Sequence, residues 1–149
     1  MKAFSVVVFD IDGTIANNSH RQKWLEQSPK DWKRYNEGMM EDGVYHDIVH
    51  LMSQLCWNNK IILCTGREDV YASVTEQWLE KNDISEYVED MYMRRAKDYR
   101  PDSVVKVELL ERITYDHARP WMWFDDRQQV VDAIRAQGIR VLQVQEGNF

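Results

Sequence analysis

The chain has 149 residues, room for one domain and too few for two. Apolar residues make up 44% and charged residues 30%, a balance that excludes intrinsic disorder and fibrous repeats. Nineteen basic against 25 acidic residues give a formal net charge of −6. That excludes coating nucleic acid by bulk electrostatics, but not gripping one phosphate or one strand end.

In chain order, Ala3 to Phe9 is rich in β-branched and aromatic residues and runs into Asp10-Ile-Asp-Gly13. It predicts a buried strand ending in a turn. The run is too short to span a bilayer, and the acidic residues behind it do not resemble a signal-peptide cleavage region. A soluble protein with no membrane partner is expected.

Residues 15–43 carry several Asn, many charges, three aromatics and weak periodicity. They read as a small cap inserted over the strand ends, with short helices around His20–Gln27 and Pro29–Glu37. Trp24, Trp32 and Tyr35 within it are read first as pinning the cap to its domain, with stacking on a base as the alternative.

From Tyr45 to Trp57, Ile48, Leu51, Met52 and Leu55 recur at helical spacing. A strand is expected at Lys60–Cys64, then a helix presenting Val70, Val74, Trp78 and Leu79, then a strand at Val88–Met93. After Pro101, a residue favoured at helix starts, come Val104, Val105, Leu109, Leu110 and Ile113. A strand at Trp121–Phe124 follows, then a helix with Val130, Val131 and Ile134 closed by Gly138, then a strand at Arg140–Val144. Alternating strands and helices predict a doubly wound, Rossmann-like α/β fold, a parallel sheet with helices on both faces, as a single domain over residues 1–149.

In such folds ligands sit beyond the carboxyl ends of the strands. Those ends carry Asp10-Ile-Asp12-Gly-Thr14, Thr65-Gly66-Arg67 and Asp125-Asp126, and a helix between them offers Lys106. Carboxylates, a hydroxyl and an ammonium converging at one sheet edge make a site for Mg²⁺ and phosphate, since that ion takes a few hard oxygen ligands plus substrate oxygens.

These four stations, in this order, resemble the motifs of the haloacid dehalogenase superfamily of phosphotransferases. The resemblance implies that Asp10 attacks phosphorus and forms an aspartyl-phosphate, and that Asp12 acts as general acid and then base. It further implies that Thr65 hydrogen-bonds the phosphoryl group and Lys106 neutralises charge. Mg²⁺ would be held by Asp10, the backbone carbonyl of Asp12, and Asp125, with Asp126 beside them. An Asp at position 12, where superfamily ATPases typically carry Thr, favours a phosphatase.

Further residues narrow the likeness. Arg21 lies eleven positions after Asp10, Arg67 follows the second station, and Asp102 sits one helical turn before Lys106, placed to hold its ammonium. With Asp125-Asp-Arg-Gln-Gln-Val-Val131 and the ending Gln143 to Phe149, the chain is similar to the phosphatase half of phage-type polynucleotide kinase-phosphatase. That half removes 3′-phosphates from nucleic acid ends. The likeness implies that Arg21, Gly66 and Arg67 contact phosphate or substrate, and that the partner is a phosphorylated nucleic acid end or a nucleotide. No Gly-x-x-x-x-Gly-Lys-Ser/Thr occurs, so no kinase activity is expected. A nucleotidase for free mononucleotides is the alternative, and a phosphate- or partner-binding module without catalysis is the second.

Other features read blandly. Cys56 and Cys64 lack both metal-ligand spacing and the downstream Arg of thiol phosphatases, and two cysteines in apolar segments fit a cytoplasmic setting. A calcium loop starting at Asp10 would want Gly and Glu where Ile15 and Arg21 stand. His46-Asp-Ile-Val-His50 echoes a zinc signature without its Glu, and a solvated helix face is the simpler reading. Arg94, Arg95, Lys97 and Arg100 form a basic run, read equally as a backbone-tracking patch or a solvated edge.

Overall fold

The computed structural model describes residues 5–149; Ala3 and Phe4, the expected start of the first strand, lie outside the described residues. Strand β1 (Ser5–Phe9) leads into the segment anticipated as a cap. There β2 (Ala16–Asn17) pairs antiparallel with β3 (Gly43–Val44), closing a loop that carries α1 (Lys23–Glu26) and α2 (Trp32–Glu37). The Asp31 side chain caps α2 by accepting the Arg34 N–H at 3.1 Å. The chain continues through α3 (His46–Leu55), β4 (Asn59–Glu68), α4 (Ala72–Lys81), β5 (Val88–Arg94), α5 (Asp102–Asp116), β6 (Met122–Asp125), α6 (Gln128–Ala136) and β7 (Val141–Gln143).

The five long strands form one sheet in the order β5-β4-β1-β6-β7, with every pairing parallel. Alternation along each strand divides the core between two faces. Val6, Val8, Ile62, Cys64 and Trp123 pack with Val105, Leu109, Leu110 and Ile113 of α5 and Val130, Val131 and Ile134 of α6. Val7, Phe9, Ile61, Leu63 and Phe124 pack on the other face with Met52 of α3 and Trp78 and Leu79 of α4. The doubly wound α/β fold is therefore present, each large apolar side chain so buried contributing about 1.5–3 kcal/mol.

The switch in strand order falls at β1, whose neighbours β4 and β6 lead to opposite halves of the sheet. Phe9 and Phe124 are register partners there and stack with ring centroids 4.4 Å apart. This fixes the heights of β1 and β6, so that the residues after the two phenylalanines, Asp10 and Asp125, arrive side by side.

Several boundaries differ from the sequence pattern. Strand β4 runs on through Thr65, Gly66 and Arg67 to Glu68, with a bulge against β5 between Thr65 and Glu68. The bulge re-aims Thr65 and Arg67 at the edge of the sheet. Val70 and Val104, counted in helix stripes, are 64% and 43% exposed, because α4 begins only at Ala72 and α5 turns Val104 outward. Gly138 follows α6 with φ +81°, the left-handed position expected of it. No helix among the described residues is long and apolar enough to cross a membrane.

Candidate active site

Asp10 leaves β1 with its carboxylate buried beneath the surface of the sheet edge. Lys106, from the buried side of α5, donates from Nζ to Asp10 Oδ1 at 2.8 Å and to Asp125 Oδ2 at 2.9 Å. The Thr14 hydroxyl donates to Asp10 Oδ2 at 3.2 Å. Asp102, one turn before Lys106, lies 3.8 Å from the ammonium. Burial disfavours the Lys106 ammonium, but Asp10, Asp125 and Asp102 outweigh it and hold its pKa well above the usual value.

Carboxylates are in surplus. Asp10, Asp125 and Asp126 each offer an oxygen within 4.8 Å of the others. Burial and repulsion from Asp125 raise Asp10 well above the usual carboxylate range, with Lys106 opposing. The same two causes push Asp126 up to about 6. Of the three, Asp125 is the most fully engaged. Its Oδ1 accepts the backbone N–H groups of Asp126 and Arg127 at 3.0 and 3.2 Å, and its Oδ2 accepts Lys106 and the Trp123 indole at 3.2 Å. Gly13 (φ +83°) packs against Asp126, and a Cβ there would fall 2.1 Å from Oδ2. The loop is built to bring that carboxylate close.

The Asp12 side chain turns away from this triad into a second cluster. Arg21 Nη2 donates to Asp12 Oδ1 at 2.8 Å, and Arg67 donates to Oδ1 from Nη2 at 2.7 Å and to Oδ2 from Nε at 3.0 Å. Behind both arginines stands Asp42, its side chain fully buried. It accepts Arg21 Nε and Nη2, each at 2.8 Å, and Arg67 Nη2 at 3.1 Å, while His20 Nε2 lies 2.8 Å away. Arg67 Nη1 donates to Thr75 of α4 at 3.1 Å, and Arg21 Nη1 to the Tyr35 carbonyl of α2 at 3.2 Å. Burial pushes Asp12 upward, yet Arg67 and Arg21 prevail and hold it below the usual carboxylate range.

The anticipated residues therefore fall into two adjoining groups. Asp10, Asp102, Lys106, Asp125 and Asp126 form the first, and Asp12, Arg21 and Arg67 the second. Thr65, buried, accepts the Arg67 N–H at 3.1 Å, and Gly66 lies where a Cβ would sit 2.3 Å from Asp102 Oδ1. Arg21 and Arg67, expected at the phosphate, are both committed to Asp12 and Asp42. Asp42 itself was missed. It stands in no motif, and its only local mark is the glycine after it, which enters β3.

Of the basic run, Arg94 serves the backbone, donating to the carbonyls of Gly66, Asp98 and Arg100 at 2.9, 2.8 and 2.7 Å. Arg100 pairs with Asp98 and Glu108. Arg94 also approaches Asp102 at 3.2 Å, and Arg127 reaches the same carboxylate at 3.6 Å from the other side. Asp102 thus faces Lys106 and both of these arginines. His46 and His50 lie exposed on α3.

A parallel sheet whose first strand runs into a buried Asp10, with a buried lysine and an acidic triad at its carboxyl edge, is that of a haloacid dehalogenase-type phosphatase. The family model for the polynucleotide kinase PNKP phosphatase domain matches residues 4–149, and the chain belongs to that family. Among solved structures, it is similar to a chain of the Pnkp1/Rnl/Hen1 RNA repair complex, with 27% identity and a TM-score of 0.82 over 99% of this chain and 44% of that one. A second structure of that complex gives 26% identity and a TM-score of 0.80 over 100% and 48%. The HAD-hydrolase YfnB from Bacillus subtilis, bound to magnesium, shares the fold at 12% identity and a TM-score of 0.63, over 94% of this chain and 86% of that one. The chain thus spans less than half the length of the two repair-complex chains.

Proposed function

We propose that this protein is a Mg²⁺-dependent phosphomonoesterase that removes 3′-phosphates from DNA or RNA ends through an aspartyl-phosphate on Asp10. The observation that carries this reading is the placement of Asp10 against Lys106 and Thr14, next to a separately held carboxylate, Asp12. The Asp10 carboxylate attacks phosphorus, and the bond from phosphorus to the 3′ oxygen breaks as Asp12 gives that oxygen its proton. Asp12 then takes a proton from water as the water oxygen attacks phosphorus, freeing Asp10 and inorganic phosphate.

For the first step Asp12 must carry a proton, which its two arginines oppose. A doubly charged phosphoryl group entering beside Arg21 and Arg67 would draw on their charge and return proton affinity to Asp12. Lys106 and Thr65 meet the phosphoryl oxygens, and Lys106 reduces the repulsion between Asp10 and an anionic substrate.

The acidic triad fits a divalent cation, because three buried carboxylates share one ammonium and two of them have raised pKa values. Asp10, Asp126, the Asp12 carbonyl and the remaining capacity of Asp125 would hold Mg²⁺, which supplies charge neutralisation for in-line transfer. That the related fold of YfnB is described bound to magnesium supports this.

Membership of a polynucleotide kinase phosphatase family and similarity to a chain of an RNA repair complex support a nucleic acid end as substrate. So does Arg127, partly exposed beside Asp102 and placed to meet a second phosphate of the strand. Residues 15–43 act as a small cap within a single domain. No P-loop occurs in these residues, so kinase activity is not part of the reading. Two free cysteines fit a reducing cytoplasm.

The test is phosphate release with Mg²⁺ from a 3′-phosphorylated oligonucleotide, its 5′-phosphorylated twin, and free 3′- and 5′-mononucleotides. Strong preference for the 3′-phosphorylated strand is expected, with release abolished and the fold retained in Asp10→Asn. Preference for mononucleotides would move the function to nucleotide turnover. Full activity in Asp10→Asn would overturn the covalent mechanism.

A further inference from the structure

The three aromatics of the cap do different jobs. Trp24 is half-buried, with Lys23 5.0 Å and Arg34 4.8 Å from its ring. Tyr35 is half-buried too; its ring covers the Arg21 guanidinium at 4.3 Å, and its hydroxyl accepts the Asn18 amide at 3.0 Å. Trp32 remains 55% exposed.

Trp32 is nonetheless held. Its ring meets Tyr35 edge-on, with centroids 5.8 Å apart at 87°, and Lys30 Nζ lies 5.9 Å from its centroid. Trp32, Tyr35 and Asn36 stand at i, i+3 and i+4 on α2 and so share one face. Tyr35 reaches Arg21 from that face. Asn36 donates from it to the Tyr71 hydroxyl at 3.2 Å, in the turn that follows β4. The face is therefore turned towards the carboxyl edge of the sheet, and Trp32 continues it one helical turn further out. From Asp12 the chain of contacts is Arg21 at 2.8 Å, then Tyr35 at 4.3 Å, then Trp32 at 5.8 Å.

We propose that Trp32 is the stacking platform for the base of the nucleotide that carries the scissile phosphate. The inference rests on the reading of the site as a phosphatase for nucleic acid ends. In a nucleotide the sugar sets the base off from the phosphate, and here the indole follows the Asp12–Arg21 pair through Tyr35, whose ring centroid lies 4.3 Å from Arg21 and 5.8 Å from that of Trp32. An indole already immobilised on its edge loses little freedom when a base covers its face, and every base has such a face, so the contact is tolerant of sequence. Lys30, whose ammonium lies over one face of the ring at 5.9 Å, adds attraction for the anionic strand and leaves the other face to the base. The exposed Trp57 and Trp121 cannot share the task, since they precede β4 and β6 at the opposite end of the sheet.

The experiment compares two 3′-phosphorylated oligonucleotides, one with a normal terminal nucleotide and one whose terminal nucleotide is abasic, on the parent, Trp32→Leu and Trp32→Phe. For the normal strand, Trp32→Leu is expected to raise KM about tenfold with kcat within about twofold, and Trp32→Phe to recover most of that loss. The parent loses a similar factor on the abasic strand, where Trp32→Leu makes no further difference. An unchanged KM in Trp32→Leu, or an equal loss on both strands, overturns the platform while leaving the phosphatase reading intact. No release by the parent from either strand overturns the reading of the site, and the platform with it.

Discussion

At the scale of single residues, the acidic triad holds more negative charge than its one lysine can balance. Asp126 carries the consequence, with its pKa raised by burial and by Asp125 from 3.8 to about 6. Between pH 4 and pH 6 the folded protein binds a proton at this site that the unfolded chain has released, so the contribution of this site to stability falls as pH rises through that window. Above about pH 6 the full penalty stands, on the order of 2–3 kcal/mol. In metal-free protein, Asp126→Asn should therefore match the parent near pH 4 and exceed it in stability at pH 7. Denaturant titrations at the two pH values measure the gap. Mg²⁺ should raise the melting temperature of the parent more at pH 7 than at pH 5, and raise that of Asp126→Asn much less. A gap that does not change with pH would show that Asp126 shares no excess charge with its neighbours.

At the scale of elements, the second cluster ties residues 15–43 to the sheet. Arg21 comes from the turn after β2, Arg67 from the bulge of β4, Asp12 from the loop after β1, and Asp42 from the residue before β3. The Asp42 carbonyl also accepts the Trp78 indole N–H of α4 at 2.9 Å. Asp42→Asn keeps the shape and removes the charge, leaving two buried guanidinium groups to share Asp12. Breaking such a pair costs about 3–5 kcal/mol. It also leaves Asp12 facing more uncompensated positive charge, which makes its proton scarcer. Phosphate release from a 3′-phosphorylated strand, whose poor leaving group needs that proton, should fall at least tenfold more than release from p-nitrophenyl phosphate, whose leaving group does not. Equal losses on both substrates would assign Asp42 a purely structural part.

This cluster also marks where the sequence ceased to be readable. Asp10, Thr65, Lys106 and Asp125 were found because each follows or faces a strand with an apolar pattern, and strand ends converge in a parallel sheet. Asp42 follows no strand and sits 30 residues from Asp12, in a segment with no dominant period. Its importance comes from tertiary closure of the β2–β3 loop, which local spacing does not encode. The same closure sets Arg21 and Arg67, expected at the phosphate, against Asp12 and Asp42.

At the scale of the whole molecule, a net charge of −6 limits how a nucleic acid strand can be held. Of the basic run, Arg94 is spent on three backbone carbonyls and Asp102, and Arg100 on Asp98 and Glu108, which leaves Arg95 and Lys97 exposed, with Arg127 partly exposed beside Asp102. Each phosphate neutralised on a single strand contributes about −0.7 to the slope of log affinity against log salt. Two contacts beyond the scissile phosphate would then weaken binding about sevenfold between 50 and 200 mM salt, where a groove tracking six to ten phosphates would lose more than a hundredfold. KM for a 3′-phosphorylated oligonucleotide, measured across that range at fixed Mg²⁺, should follow the shallow slope. Arg127→Gln should flatten it further, by about 0.7, while leaving the hydrolysis of p-nitrophenyl phosphate nearly unchanged. A steep slope that Arg127→Gln leaves unaltered would place the strand on another surface. A shallow one ties recognition to the terminal nucleotides alone, as expected of a site whose arginines are mostly buried and turned inward on its own carboxylates.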